Sequence, residues 1–245
     1  MVSKNQIKLI TGLQQKKYRK QQELFIAEGI KVIQELLRSN FELQHLYSIS
    51  DDLEDVKNDK ITLITEEQLK KISALTTPNT CLAIFKMLPE RKPEGSGLIV
   101  ALDDVRDPGN LGTIIRLCDW FGIKHLVCSM ECADVYNPKV VQATMGSIAR
   151  VNVVYTDLQQ FLQDSSLPVY GTFMDGDNIY EQQLPQQGIV VMGNEANGIS
   201  REIKEAVTKR IAIPRFGDLQ KTESLNVATA TAIILSEFRR NFSGK

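Results

Sequence analysis

Two histidines and four cysteines are a small supply of metal-binding and nucleophilic side chains for 245 residues, and neither type is grouped. Cys81, Cys118, Cys128 and Cys132 are too few and too scattered for a disulfide framework, and Cys128 with Cys132 lacks a second ligand pair beside it. One histidine, His125, lies near both, but this spacing reads as buried strand residues, so no metal is expected. No apolar run is long enough to cross a bilayer, and the first residues lack the apolar block of a secretory signal. A soluble, cytoplasmic protein is expected. G-x-G-x-x-G and a P-loop with its lysine are also missing, which disfavours a dinucleotide dehydrogenase and a phosphate-hydrolysing enzyme. The formal net charge of -1 argues against indiscriminate polyanion binding, so a nucleic-acid partner would need a local patch.

One stretch lacks acidic residues altogether. Up to residue 22 the charged side chains are Lys4, Lys8, Lys16, Lys17, Arg19 and Lys20, without Asp or Glu. A polyanion site and a solvated, frayed terminus account for this run equally well. Residues 24–37 (L-F-I-A-E-G-I-K-V-I-Q-E-L-L) have helical spacing, interrupted at Glu28 and Gly29. Strands are expected at 46–49, 61–64 and 81–85, and a helix at 66–72, which makes a small α/β unit. The Pro, Gly, Ser and charge of 89–97 (P-E-R-K-P-E-G-S-G) mark a linker. Length and the 42% hydrophobic content are enough for a domain on each side of it.

Beyond the linker, Val- and Ile-rich strands are expected at 98–103, 125–128, 151–155, 169–173, 189–192 and 211–213. Helices are expected at 111–121, 140–148 and 158–162, another around 203–207, and a last one opened by Ser224. Such alternation argues for a parallel sheet buried on both faces, with ligands beyond the carboxyl ends of its strands. Three polar loops fall there: D-P-G-N-L-G at 107–112, G-N-E-A-N-G at 193–198, and 216–226, which ends in S-L-N. The first leads into the helix that carries Arg116. The second places Glu195 where a helix is about to start. Their glycines let backbone approach a ligand closely, and exposed amides can hold one. Each also has a structural reading: Ser224 as a helix cap with Asn226 in the first turn, Glu195 as a carboxylate favoured by a helix dipole, and Arg116 as a surface helix residue.

In this order the loops resemble the three motifs of the SpoU (TrmH-like) branch of the SPOUT superfamily of RNA 2'-O-ribose methyltransferases. The residues that carry the resemblance are D-P-G-N-L-G-T-I-I-R, V-M-G-N-E-A-N-G-I-S, and I-P-R-F-G with S-L-N-V-A-T-A-T-A-I, joined by N-P-K-V-V-Q-A-T-M-G at 137–146. Together they cover essentially all of 98–240. The segment F-I-A-E-G-I-K-V-I-Q-E-L-L is similar to the start of the family's N-terminal substrate-binding domain, which is of L30e or L7Ae type. The resemblance implies an α/β chain with an RNA substrate-binding domain at 1–88, a linker at 89–97 and a parallel-sheet methyltransferase domain at 98–245 whose C-terminal segment forms a trefoil knot. It also implies a homodimer through the C-terminal domain.

S-adenosylmethionine is the implied methyl donor and a ribose 2'-hydroxyl the acceptor. Asn110, Arg116, Glu195, Ser224 and Asn226 match catalytic positions, while Thr172, Gly193, Asn194, Ile213, Pro214 and Leu225 match positions that hold the donor. In the dimer, Arg116 would reach the ribose across the interface. The chain departs from the family pattern at Arg215, where Met is usual, in the longer loop between Gly217 and Ser224, and at T-T-P-N-T-C (76–81), which lacks a glycine after the proline. RNA specificity is therefore not carried over. The L30e-like module makes ribosomal RNA, 23S in particular, the first choice of substrate and transfer RNA the second. A non-catalytic RNA-binding or assembly factor on the same fold is the alternative reading. If the cluster between Lys4 and Lys20 holds RNA, affinity falls steeply with added salt. A flat salt response in a filter-binding titration would remove this segment from the RNA site.

Overall fold

The computed structural model describes residues 2–50, 56, 58–89, 91–93, 96–217 and 224–240. Residues 90, 94 and 95 of the expected linker and 218–223 of the third loop lie outside that set. The chain divides into two compact units, one made of Met1–Pro89 with Asp134–Ala149 and the other of Glu90–Ala133 with Arg150–Lys245.

The first unit begins with two short helices, α1 (Lys4–Gly12) and α2 (Lys16–Gln22), and α1 opens on a capping box between Ser3 and Gln6. The basic stretch is thus ordered, and it loses one member. Arg19 is buried: Nη1 donates to the carbonyls of Leu13 (2.9 Å) and Gln14 (2.8 Å), Nε donates to Asp134 (3.1 Å), and Nη2 pairs with the same carboxylate. Lys4, Lys8, Lys16, Lys17 and Lys20 remain exposed.

Residues 24–37 are not one helix. Leu24–Glu28 is strand β1, Gly29 turns the chain at φ 87°, and only Ile30–Leu37 is helical (α3). The reason is tertiary: β1 pairs antiparallel with β4 (Cys81–Lys86), from Leu24 opposite Lys86 to Glu28 opposite Leu82. The two remaining strands, β2 (Leu43–Ser48) and β3 (Ile61–Leu63), complete a sheet ordered β1-β4-β2-β3, and α4 (Glu66–Ile72) follows β3 behind a second capping box at Thr65. Glu28 is buried and accepts from Ser73 Oγ (2.5 Å) and the Ala74 amide (2.8 Å); burial nevertheless holds its pKa above the ordinary carboxylate value. The Tyr136 ring lies 4.8 Å from that of Phe25, so the 134–149 segment shares this unit's core.

The second unit is a six-stranded parallel sheet. Its strands are β5 (Leu98–Leu102), β6 (His125–Cys128), β7 (Asn152–Tyr155), β8 (Val169–Asn178), β9 (Gly188–Met192) and β10 (Lys209–Ala212), arranged β10-β8-β9-β5-β6-β7. Every residue of β5 and β9 is buried, as expected of a sheet covered on both faces. Helices α7 (Leu158–Gln163) and α8 (Arg201–Ala206) cover Ile99, Ala101, Ile189 and Val191, while α5 (Pro108–Trp120) and α9 (Val227–Arg239) pack against each other. The 140–148 segment, expected to be helical, is broken: α6 (Pro138–Thr144) ends at Met145 (φ 51°) and Gly146 (φ 93°), and a 3-10 turn follows at Ser147–Ala149. A Cβ at Gly146 would run into the Glu35 side chain.

Replacing Arg19 with Ala strands the Asp134 carboxylate and two carbonyls. We expect a loss of about 3–5 kcal/mol of stability in the first unit. Urea unfolding followed by fluorescence measures it.

Candidate active site

In the sheet the chain runs outward from β5 to β6 and β7, then returns on the other side through β8 and β9. The connections from β5 and β9 therefore diverge. A crevice opens outside the carboxyl ends of two such neighbours, at the point where strand order reverses. The first two polar loops leave the sheet at this point. The third leaves the end of β10 at the same edge.

A ladder of hydrogen bonds fixes the second loop. The Asp103 amide donates to the Met192 carbonyl (2.9 Å), continuing the pairing of β5 with β9 by one residue. The Asp103 carboxylate, 5% exposed, accepts from the Ser200 amide (2.6 Å), and the Asp104 carbonyl accepts from Asn194 Nδ2 (2.7 Å). Asn194 and Gly198 exchange backbone hydrogen bonds at 3.0 and 2.8 Å, and Asn194 Oδ1 accepts from the amides of Ala196 and Asn197. A Cβ on Gly193 would collide with the carbonyl carbon of Gly198 and the amide nitrogen of Ile199, so only glycine lets the loop close. Helix α8 starts at Arg201 with Ser200 as N-cap, which corrects the expectation that a helix begins at Glu195. In the sequence Asp103 reads only as the last residue of the 98–103 strand, and Asp104 carries no mark. A carboxylate at the end of an otherwise apolar strand was the one available signal.

Three of the five candidate catalytic residues are joined. Asn226 Nδ2 donates to Asn110 Oδ1 (2.8 Å), and Asn110 Nδ2 donates to Glu195 Oε1 (2.7 Å). Both ends impose the same direction. Asn226 Oδ1 is committed to the amides of Ala228 (3.0 Å) and Thr229 (3.2 Å), which leaves its NH₂ for Asn110, and an ionised Glu195 can only accept. Asn226 is thus the N-cap of α9; Ser224, expected to open the helix, is exposed and precedes it. Asn110 is placed in turn by the cap of α5, where the Asp107 carboxylate accepts from the Asn110 amide (2.8 Å).

Arg116 lies further along α5, exposed, with no hydrogen bond or ion pair among the described residues. It is not held by Glu195 or Asn110, whose side chains face each other. The candidate donor positions lie on or just past three adjoining strands and before α9. Thr172 lies on β8, its Oγ1 donating to the Val191 carbonyl of β9 (3.1 Å), with Gly193 and Asn194 after β9, Ile213 and Pro214 after β10, and Leu225 before α9. Just past Thr172, β8 shifts register against β10: Gly171 faces Arg210 but Asp177 faces Ile211. Arg210 fastens the irregular stretch, its guanidinium 3.7 Å above the Phe173 ring and 2.5 Å from Asp175, whose pKa it lowers. Among the described residues there is no group of three or more His, Cys, Asp or Glu that could hold a metal ion, and no helix long and apolar enough to cross a membrane.

This arrangement has relatives. Residues 4–83 match the model of the MRM3-like substrate binding domain. The 23S rRNA (guanosine(2553)-2'-O)-methyltransferase of Bacillus subtilis is 30% identical over 248 residues, 97% of each chain. A solved structure from Porphyromonas gingivalis, assigned to the TrmH family of RNA methyltransferases, superposes with a TM-score of 0.89 at 40% identity over 98% of this chain and 99% of that one. An AdoMet-bound rRNA methyltransferase from Sinorhizobium meliloti superposes with a TM-score of 0.87 at 28% identity, over 100% of this chain and 98% of that one. Residues 97–236, which include all three loops and the residues they bring together, match the model of the SpoU rRNA Methylase family, and the chain belongs to that family.

Proposed function

We propose that the protein transfers a methyl group from S-adenosylmethionine to a ribose 2'-hydroxyl of a structured RNA, with 23S ribosomal RNA the first choice. The observation that carries this reading is the directed hydrogen-bond chain from Asn226 through Asn110 to Glu195, at the strand-order switch point of a SpoU-family sheet. The Bacillus subtilis relative is named for 23S rRNA and the Sinorhizobium meliloti one is described with AdoMet bound, which supports both the substrate class and the donor.

The donor positions suit that molecule chemically. None of the six is charged, Ile213, Pro214 and Leu225 offer apolar surface to a base, and Gly193 brings backbone close without a side chain. Leu225 is 48% exposed. S-adenosylmethionine, when bound, supplies a methyl group on a positively charged sulfur. The chain's own task is to hold a ribose hydroxyl in line and ease loss of its proton. Arg116 does this as a cation, lowering the hydroxyl's pKa and gripping the adjacent phosphate, since a guanidinium is not deprotonated in proteins. Ser224 and Asn226 position the hydroxyl; Asn110 holds Asn226 in its orientation, and Glu195 holds Asn110.

In the same reading, residues 1–88 select the RNA and 98–245 modify it, in the cytoplasm. The family matches on either side of 89–97 support this division. The protein works as a homodimer through its C-terminal part, with Arg116 serving the partner's site. Arg116's exposure without a bonding partner among the described residues supports that arrangement. The C-terminal segment forms a trefoil knot, with which the strand order β10-β8-β9-β5 and the packing of α9 on α5 are compatible.

The test is transfer of labelled methyl from S-adenosylmethionine to total RNA from a strain lacking this protein, with ribose methylation mapped by nucleotide. One new 2'-O-methyl site in 23S rRNA supports the reading. A site in transfer RNA replaces the substrate, and absence of donor binding removes the enzyme. We expect Arg116→Ala to abolish transfer while leaving donor affinity nearly intact; equal loss of donor binding would place Arg116 in the donor pocket. Gly193→Ala, which forces the 193–198 loop open, is expected to weaken donor binding at least ~10-fold, about 1.4 kcal/mol, in a calorimetric titration.

A further inference from the structure

We propose that Asp103 is a positioning residue for methyl transfer, its buried carboxylate holding the 193–200 segment in the conformation in which Glu195 meets Asn110. The proposal rests on the catalytic reading above, but its structural part stands on four contacts that do not involve the proposed catalytic side chains. Asp103 Oδ2 accepts from the Ser200 amide (2.6 Å), and the Asp103 amide donates to Met192 at the other end of the loop (2.9 Å). Asp103 thus grips both ends of the 193–200 segment. Its neighbour Asp104, at φ 59°, holds the middle through Asn194 (2.7 Å) and is itself fixed by the hydrogen bond its amide donates to Ser129 Oγ (3.0 Å).

Stability alone does not explain a carboxylate here. Asp103 is 5% exposed, and its carboxylate accepts from the Ser200 amide with no cation paired to it among the described residues. Burying a carboxylate without a counter-charge costs several kcal/mol, which a polar neutral or apolar residue would avoid. Ser200 caps α8 without a side-chain hydrogen bond, so the Asp103 carboxylate adds a polar tie from the sheet to the start of that helix, beside the apolar packing of Ile199 and Ile203. Glu195 sits inside the segment so held, at the accepting end of the chain from Asn226. Release of the segment at Ser200 lets Glu195 drift from Asn110, and a displacement of about 1 Å at a reacting centre costs ~100-fold in rate.

Hydrogen exchange on the full-length protein, read by mass spectrometry, reports the loop without any turnover. With Asp103→Ala, peptides covering 194–200 exchange at least ~10-fold faster while those of β9 keep their protection. Unchanged protection of 194–200 overturns the proposal. Kinetics on ribosomal RNA then separate positioning from folding. Asp103→Ala lowers kcat by ~100-fold with the RNA KM within ~3-fold of wild type. Asp103→Asn, which keeps an acceptor oxygen, restores most of the activity. Added to Glu195→Ala, which removes the acceptor for Asn110, Asp103→Ala lowers the rate less than ~3-fold further, because both act on one contact. Effects that multiply, or an Asp103→Asn variant as slow as Asp103→Ala, overturn it. Wild-type protein that methylates no RNA would sink the catalytic reading instead, and the exchange experiment would still decide what Asp103 holds.

Discussion

Parallel pairing of β5 with β9, residue for residue from Leu98 opposite Gly188 to Leu102 opposite Met192, is the constraint on which the candidate site depends. Parallel strands deliver their following loops to the same edge, and the pairing runs one step further, through the Asp103 amide, into the loops themselves. The chain leaves these two strands in opposite directions, the arrangement at which open parallel sheets place their ligand sites. Asn110 and Glu195, 85 residues apart, meet there.

The chain of Asn226, Asn110 and Glu195 uses one side chain both to cap a helix and to orient its neighbours. Asn226 caps α9 with its oxygen and addresses Asn110 with its nitrogen. A typical N-cap contributes about 1 kcal/mol to a helix. Here the cap also removes the freedom of an amide that would otherwise turn over, since either face could be presented. A carboxylate at the far end, which accepts only, leaves one orientation for both amides. Arg116, exposed and without a side-chain partner among the described residues, stands outside this chain.

The first unit treats charge differently. Arg19 and Glu28 are both withdrawn from water, Arg19 against Asp134 and two carbonyls, Glu28 against Ser73 and Ala74. They set helix and loop positions. The five lysines left exposed between Lys4 and Lys20 are carried on two helices, the first behind a capping box, so their spacing is fixed rather than averaged by a fraying terminus. A fixed array loses less entropy on meeting a phosphate backbone than a loose one.

The sequence by itself determined the alternation of Val- and Ile-rich strands with helices, the parallel class of sheet that follows, the order of the three loops and the family they belong to. These are local or periodic signals, legible because burial on both faces demands continuous apolar strands and because close backbone approach demands glycine at fixed places. Tertiary structure decided the rest. Residues 24–28 have a helix's spacing, yet they form a strand because β4 offers a full row of antiparallel partners. Ser224 reads as the cap with Asn226 in the first turn, yet the cap is Asn226, which also reaches Asn110. Arg19 reads as one more cation in a basic run until Asp134 is brought against it. Glu195 reads as the start of a helix until Asp103 and Asp104 bind the segment around it. Each of these outcomes depends on a hydrogen bond or ion pair between residues far apart in the chain. Composition and period carry no record of such a contact, because its energy exists only once the strands between have been placed.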